Sequence, residues 1–258
     1  MNFSENSLFA ATVADNRFWI ALAIAILAGV VRGFSGFGSA QIYVPLIASV
    51  YSPRIAAVTL LLIDTFGTAP FAVRAFRHCT WREVAPMSIA AALSVPVGAL
   101  ALRIIDPIVL RWFIAALVLT LVGILISGWR YHGRPKLWIT IGVGLFSGFG
   151  SGAVQIAGPP VLIYWLGTTT AVTTVRANFL TYFIFLNAMS IVVYFWQGFF
   201  TPELLVMALL LAIPFFVATT AGASVFHGSS ESLYRRIAYG IIITAALVSL
   251  PVFDRWIR

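Results

Sequence analysis

The apolar residues of this chain are grouped into stretches about 12 to 25 residues long, divided by short segments that hold nearly all the Arg, Lys, Gly and Pro. Hydrophobic residues make up 61% and charged residues 9%, against roughly 45–50% and 25% in a soluble domain. No water-compatible surface can be made from that composition. Lipid offers no partner to a backbone amide, so stretches of this kind must cross the bilayer as helices. The predicted fold is an all-α integral membrane protein.

The net charge of +8 does not point to nucleic acid. The basic residues fall singly or in short loop clusters, without the stripe interleaved with aromatics that a polyanion requires. Cys79 is the single cysteine, so an intramolecular disulfide or a cysteine metal site is excluded. The first apolar segment follows a polar tail carrying Glu5 and Asp15. A signal peptide has a basic leader instead, so the segment is expected to be retained.

The chain contains itself twice. Residues 33–40, Gly-Phe-Ser-Gly-Phe-Gly-Ser-Ala, return at 145–152 as Leu-Phe-Ser-Gly-Phe-Gly-Ser-Gly. After two extra residues Gln41-Ile42 meets Gln155-Ile156, and Pro45 meets Pro159. Gly98 and Arg111 keep the interval of Gly222 and Arg235. Three matches in one order mark a duplication. The expected organisation is a polar tail over 1–17, a first repeat over 18–129, a basic linker over 130–136 and a second repeat over 137–258.

Each repeat reads as five apolar segments, at 18–32, 38–51, 55–76, 84–102 and 108–129, then at 137–147, 152–166, 171–196, 203–226 and 234–253. This gives eight to ten membrane segments. The first two of each repeat are short or re-entrant around the Ser-Gly-Phe-Gly-Ser turn, since about 14 residues of helix cover about 21 Å of a roughly 30 Å hydrocarbon core. Short, glycine-interrupted segments at matching places in two halves point to a transporter's binding site.

Charge sets the orientation. The loop with Arg74, Arg77, His78 and Arg82 is placed in the cytoplasm, whereas its counterpart over 197–203 has no basic residue. Equivalent loops on opposite sides mean inverted repeats. The linker with Arg130, His132, Arg134 and Lys136, and the pair Arg235-Arg236, share the first loop's parity, so both termini are expected outside. Arg103, Arg111, Arg255 and Arg258 are left outside by this scheme.

Several residues are candidates for chemistry. In each turn, Ser35 to Ser39 and Ser147 to Ser151, glycine permits close backbone approach and the last serine can cap the following helix. Two helix starts facing one another would supply about one positive charge for a small anion. The competing reading is that Gly36, Gly38, Gly148 and Gly150 serve helix packing. Gln41 and Gln155 follow closely enough to reach the same cavity, and Pro45 and Pro159-Pro160 free backbone carbonyls or kink the segments. Arg176 and Asn178 lie near the start of a long apolar helix about 200° apart, Arg176 on the face of Asn187 and Asn178 on that of Thr181. Arg176 can bind substrate or snorkel to the interface, Arg54 reads as an interfacial anchor, and Arg32 fits either role. Asp64, the acid in mid-segment, is a candidate for proton coupling or a structural ion pair.

The histidines, His78, His132 and His227, fall in loops without a nucleophile or metal-ligand pattern. No enzyme, cofactor or metal is expected, and a redox subunit would need histidines within helices or a cysteine pair. Trp19, Trp81, Trp129, Trp138, Tyr164 and Trp256 read as an interfacial belt.

The repeated Gly-rich turn, the proline that follows it, and Val175-Arg176-Ala177-Asn178 together resemble the TauE/SafE family of sulfite exporters and related permeases, over about Trp19 to Leu250. The resemblance implies secondary transport of small sulfur-containing anions such as sulfite or organosulfonates. It carries the site to Ser35, Gly36, Phe37, Gly38, Ser39, Ser147, Gly148, Phe149, Gly150, Ser151, Arg176 and Asn178. Family members often have a glycine run where Ser39-Ala40 and Ser151-Gly152 stand, a departure that narrows the pocket. The expected partners are a small anion, the lipid bilayer and a coupling proton or Na+, with a homodimer left open. The expected protein is a multi-pass carrier of the cytoplasmic membrane working by alternating access. The alternatives are a passive anion channel and a permease for a carboxylate.

Overall fold

The computed structural model describes residues 3–35, 38–68, 72–129, 131, 133, 136–168, 171–225 and 231–253. Gly36 and Phe37, the linker residues Arg130, His132 and Arg134, and His227 lie outside them. The described residues form helices without strands: α1 (Phe3–Ala14), α2 (Asn16–Ser35), α3 (Ser39–Val50), α4 (Pro53–Thr68), α5 (Ala72–His78), α6 (Trp81–Ile104), α7 (Pro107–Ile126), α8 (Leu137–Val154), α9 (Gly158–Leu166), α10 (Val172–Trp196), α11 (Pro202–Val225), α12 (Glu231–Val248) and a 3-10 turn at Pro251–Phe253. Six are long and apolar enough to cross a membrane, within α2, α6, α7, α8, α10 and α11. The apolar helices Ser39–Val50 and Arg236–Val248 are shorter. The chain is an α-helical, multi-pass membrane protein.

One expectation about a segment length changes. The segment at 137–147 is part of an 18-residue helix that continues through Ser147-Gly-Phe-Gly-Ser151, so the second copy of the repeated motif is helix and not a turn. Lipid enforces backbone bonding within the segment, and this outweighs the roughly 1 kcal/mol that each helical glycine costs. The segment at 55–76 carries α4 and most of α5, and residues 69–71 between them lie outside the described set. Part of the tail at 1–17 forms α1.

The chain divides into two compact units, each drawing on both halves of the sequence. One comprises Met1–Ile63, Ile105–Val122 and Gly198–Arg258, and the other Asp64–Ile104 and Gly123–Gln197. In the first unit α2 packs along α11, with α3 and α12 beside them. In the second, α6 packs along α8, and α10 lies against α5, α6 and α9.

Both long contacts are made by glycine. A Cβ placed on Gly144, Gly148 or Gly152 of α8 would fall 2.5, 2.4 and 2.1 Å from the carbonyl oxygens of Met87, Ala91 and Val95 in α6. From the other side, a Cβ on Gly98 would fall 2.2 Å from the Phe149 carbonyl. In the first unit, Gly29 and Gly33 of α2 come equally close to the Phe215 and Thr219 carbonyls of α11, and Gly222 to that of Val30. Small residues four apart let two membrane helices touch backbone to backbone. At Gly148 the packing reading of the repeated motif therefore holds.

Gly152→Ala is expected to lower the detergent-solubilised protein's stability by about 1–3 kcal/mol, because α6 backbone blocks the added methyl. Gly142→Ala in the same helix meets nothing within 4 Å and should be neutral or stabilising by roughly 0.5–1 kcal/mol. Thermal unfolding of the two variants checks this, and equal melting temperatures would contradict the packing.

Candidate functional site

In the first unit the repeated motif breaks the helix. α2 ends at Ser35, whose side chain lies outside the described set. Gly38 takes a left-handed backbone, φ 98°, and α3 starts at Ser39. The left-handed region is open to glycine and costs other L-residues about 1–2 kcal/mol. Gly38 occupies the N-cap, so Ser39 is the first residue of α3 and not its cap; its hydroxyl accepts a long hydrogen bond, 3.4 Å, from Arg32 Nη1. Arg32 also lies over the Phe215 ring, 5.8 Å from its centroid. A guanidinium thus stands beside this helix start. Gln41 is 2% exposed, and its Oε1 is buried without a hydrogen bond. Pro45, inside α3, has no N–H to offer the Gln41 carbonyl one turn back.

In the second unit the break falls later. α8 runs through Ser151 and ends where Gln155 adopts φ 57°, ψ 25°, the sole left-handed residue other than glycine among the described residues. The Gln155 and Ile156 amides return to the Ser151 and Gly150 carbonyls. The chain folds back so tightly that a Cβ on Gly150 would fall 2.5 Å from the Ile156 carbonyl. α9 then starts at Gly158 with Pro159 and Pro160 in its first turn. The expectation that Ser151 caps a helix start is corrected, since Ser151 lies in the last turns of α8. The helix start that follows has lost two of its amide donors to proline, which weakens it as an anion site.

Side chains supply the polar groups here. Ser147, Ser151 and Gln155 share one polar cluster with Tyr182, Ser190 and Tyr194 of α10. Tyr182 donates to Ser147 Oγ at 2.9 Å, and Ser147 donates to the Ala157 carbonyl at 2.9 Å. Tyr194 donates to the Gly152 carbonyl at 2.9 Å. Ser151 Oγ lies 3.2 Å from Ser190 Oγ and 3.4 Å from Gln155 Oε1. Asn187 Nδ2 is buried without an acceptor, and Gln155 Nε2 is buried without a well-formed bond, its amide facing the Tyr194 hydroxyl. Asn187 is 5% exposed and lies one turn before Ser190 on the same face of α10. An unpaired buried donor costs about 1–3 kcal/mol, so a cluster with surplus donors suits an oxygen-bearing anion.

The remaining candidates do not join this cluster. Gly148 faces α6, and Phe149 turns its carbonyl toward Gly98. Arg176 is exposed near the start of α10. Asn178 is fully buried, but its Oδ1 accepts the Thr80 amide at 2.7 Å and its Nδ2 reaches Glu83 Oε2 at 3.4 Å. Thr80-x-x-Glu83 is a capping-box spacing, and Asn178 is inserted between its two partners, which gives it a structural role at the start of α6. Asp64 is half-buried in α4. Arg111, read from the sequence as an outside charge, is 5% exposed within α7 and donates to the Ser249 carbonyl at 2.8 Å. Asn187, Tyr182 and Tyr194 went unselected because a polar residue in an apolar helix does not reveal which helix it faces. The available signal was helical spacing: Asn187 and Tyr194 stand three and four residues from Ser190, and Tyr182 stands eight before it.

Ser147→Ala would strand both the Tyr182 hydroxyl and the Ala157 carbonyl, and should cost about 1–3 kcal/mol. Adding Tyr182→Phe should cost less than the two single changes combined, and a thermal-unfolding double-mutant cycle measures this coupling. Strict additivity would contradict the bond.

A family profile described as Sulfite exporter TauE/SafE matches residues 21–249. A curated relative, the probable sulfite/organosulfonate exporter TauE of Cupriavidus necator, is 25% identical over 238 residues, covering 86% of this chain and 90% of the relative. No solved structure matches.

Proposed function

Since the chain belongs to the TauE/SafE family of sulfite exporters, we propose that it is a secondary transporter of small sulfur-containing anions, sulfite or organosulfonates, across the cytoplasmic membrane. The observation that carries this reading is the polar cluster at the break between α8 and α9, with the weakly bonded Gln155 amide in it and Asn187 Nδ2 a buried donor without an acceptor on the α10 face that bears Ser190. An oxygen-bearing anion supplies the acceptors that such donors lack. In the first unit, Arg32 and the first-turn amides of α3 at Ser39 and Gln41 offer the same chemistry. The left-handed Gln155 is a strained joint, and strain of this kind collects where a backbone switches state. The duplicated motif, with basic loops of opposite placement, supports two inverted repeats working by alternating access with both termini outside. A solute or ion gradient supplies the drive, and Asp64 is the carboxylate assigned to proton coupling.

A thermal-shift series tests the substrate class. A ligand at 100 times its Kd stabilises the folded state by about 2.7 kcal/mol. Sulfite and small sulfonates should raise the melting temperature, whereas stabilisation by carboxylates alone would refute the assignment. Gln155→Gly should relieve about 1–2 kcal/mol of backbone strain and raise the melting temperature of the free protein, while abolishing the anion-induced shift. A retained shift would remove Gln155 from the site.

In proteoliposomes, substrate on the far side should accelerate flux through wild-type protein, as a carrier requires and a channel does not. Asp64→Asn should keep this exchange and lose its dependence on a proton gradient. Unchanged dependence would exclude Asp64 as the coupling group.

A further inference from the structure

α10 has a second face, opposite the one that carries Asn187, Ser190 and Tyr194. There Phe185, Ala188 and Val192 line one wall of an open cavity of about 450 Å³, and Trp81, Ile89 and Ala92 of α6 line the other. The eleven residue steps from Trp81 to Ala92 extend about 16 Å along the helix, the depth of one leaflet of a roughly 30 Å hydrocarbon core. Apart from Ser88 and the Trp81 indole nitrogen the lining side chains are apolar. Ile89, Phe185 and Val192 are 63%, 42% and 45% exposed, so the groove is open along its length.

One end of the groove is distinct. Trp81 stacks on Phe76 at 6.1 Å between centroids, and Phe185 sets its edge against both rings at 5.8 and 6.0 Å. An aromatic cluster at a helix end marks the headgroup level of a bilayer. Directly beside it, Arg77 in the last turn of α5 and Arg82 in the first turn of α6 are exposed. The nearby acid, Glu83, is engaged with Asn178. The groove therefore offers a hydrocarbon slot one leaflet deep whose aromatic end has two exposed arginines as chain neighbours of Phe76 and Trp81, and guanidinium groups bind phosphate well.

We propose that this groove seats one acyl chain of an anionic phospholipid, with the lipid phosphate held by Arg77 and Arg82. The occupant is committed by charge complementarity at the aromatic end and by the slot's length. This site is separate from the anion cluster and stands whether or not the transport reading does.

Native mass spectrometry of the detergent-purified full chain tests it, after incubation with equal amounts of phosphatidylglycerol and phosphatidylcholine carrying the same acyl chains. Wild-type protein should retain severalfold more phosphatidylglycerol. Arg77→Gln with Arg82→Gln should reduce that retention to the phosphatidylcholine level, and Ala188→Trp, which fills the slot with both arginines intact, should reduce it as well. Ala92→Phe repeats the filling from α6 should Ala188→Trp fail to elute as folded protein. Equal retention of the two lipids by wild type, or preference unchanged in the arginine variant, would overturn the proposal. Undiminished retention in the filled-slot variants would overturn it too, since the lipid would then be held by surface charge alone.

Discussion

Contact between helix backbones at glycine is the interaction on which the rest of this structure depends. In a bilayer, apolar side chains gain nothing by leaving lipid for one another, so helices associate through close packing and hydrogen bonds. Gly144, Gly148 and Gly152 bring α8 against α6, and Gly29, Gly33 and Gly222 do the same for α2 and α11. These contacts fix α8, and with it the place where the helix breaks. The break positions Gln155, and α10 brings Ser190 and Tyr194 against α8 at Ser151 and Gly152. The surplus of amide donors is thus a product of helix packing several turns away.

The membrane class, helical fold and family were legible because they rest on quantities summed over long stretches: apolar segment length, loop charge and a duplicated motif. The exact breaks were not. Two nearly identical motifs have different structures, a helix start behind a left-handed Gly38 and a continuous helix through Ser151. Local sequence is shared, so the difference lies in what surrounds it. The second copy carries Gly152 where the first has Ala40, and Gly152 meets α6 backbone, which rewards continuing the helix for one more turn. The two residues inserted before Gln155 then move the break downstream.

The candidate site was legible in part for the same reason. Ser147, Ser151 and Gln155 were selected from the repeat and do meet in one cluster. Arg176 and Asn178 were selected as polar groups in an apolar helix, a criterion that does not separate an exposed arginine from an asparagine holding a helix cap. Asn187 satisfies the same criterion, and its burial could be seen only once α10 was packed against its neighbours. Pro159-Pro160 carried a signal that could have been read further: prolines at a helix start take away the amides that a dipole-based anion site needs.

Each compact unit draws its pieces from both halves of the chain, and this sets an order of assembly. Gly98 and Gly152 lie within one another's reach after roughly 50 further residues, a few seconds of synthesis at about 5–20 residues per second, whereas Gly33 must wait for Gly222, roughly 190 residues later. The unit of α6, α8 and α10 can close while the ribosome is still at work. α2, with its bare glycine stripe, remains in the bilayer unmatched until α11 arrives, and is the part of the nascent protein most in need of a guardian.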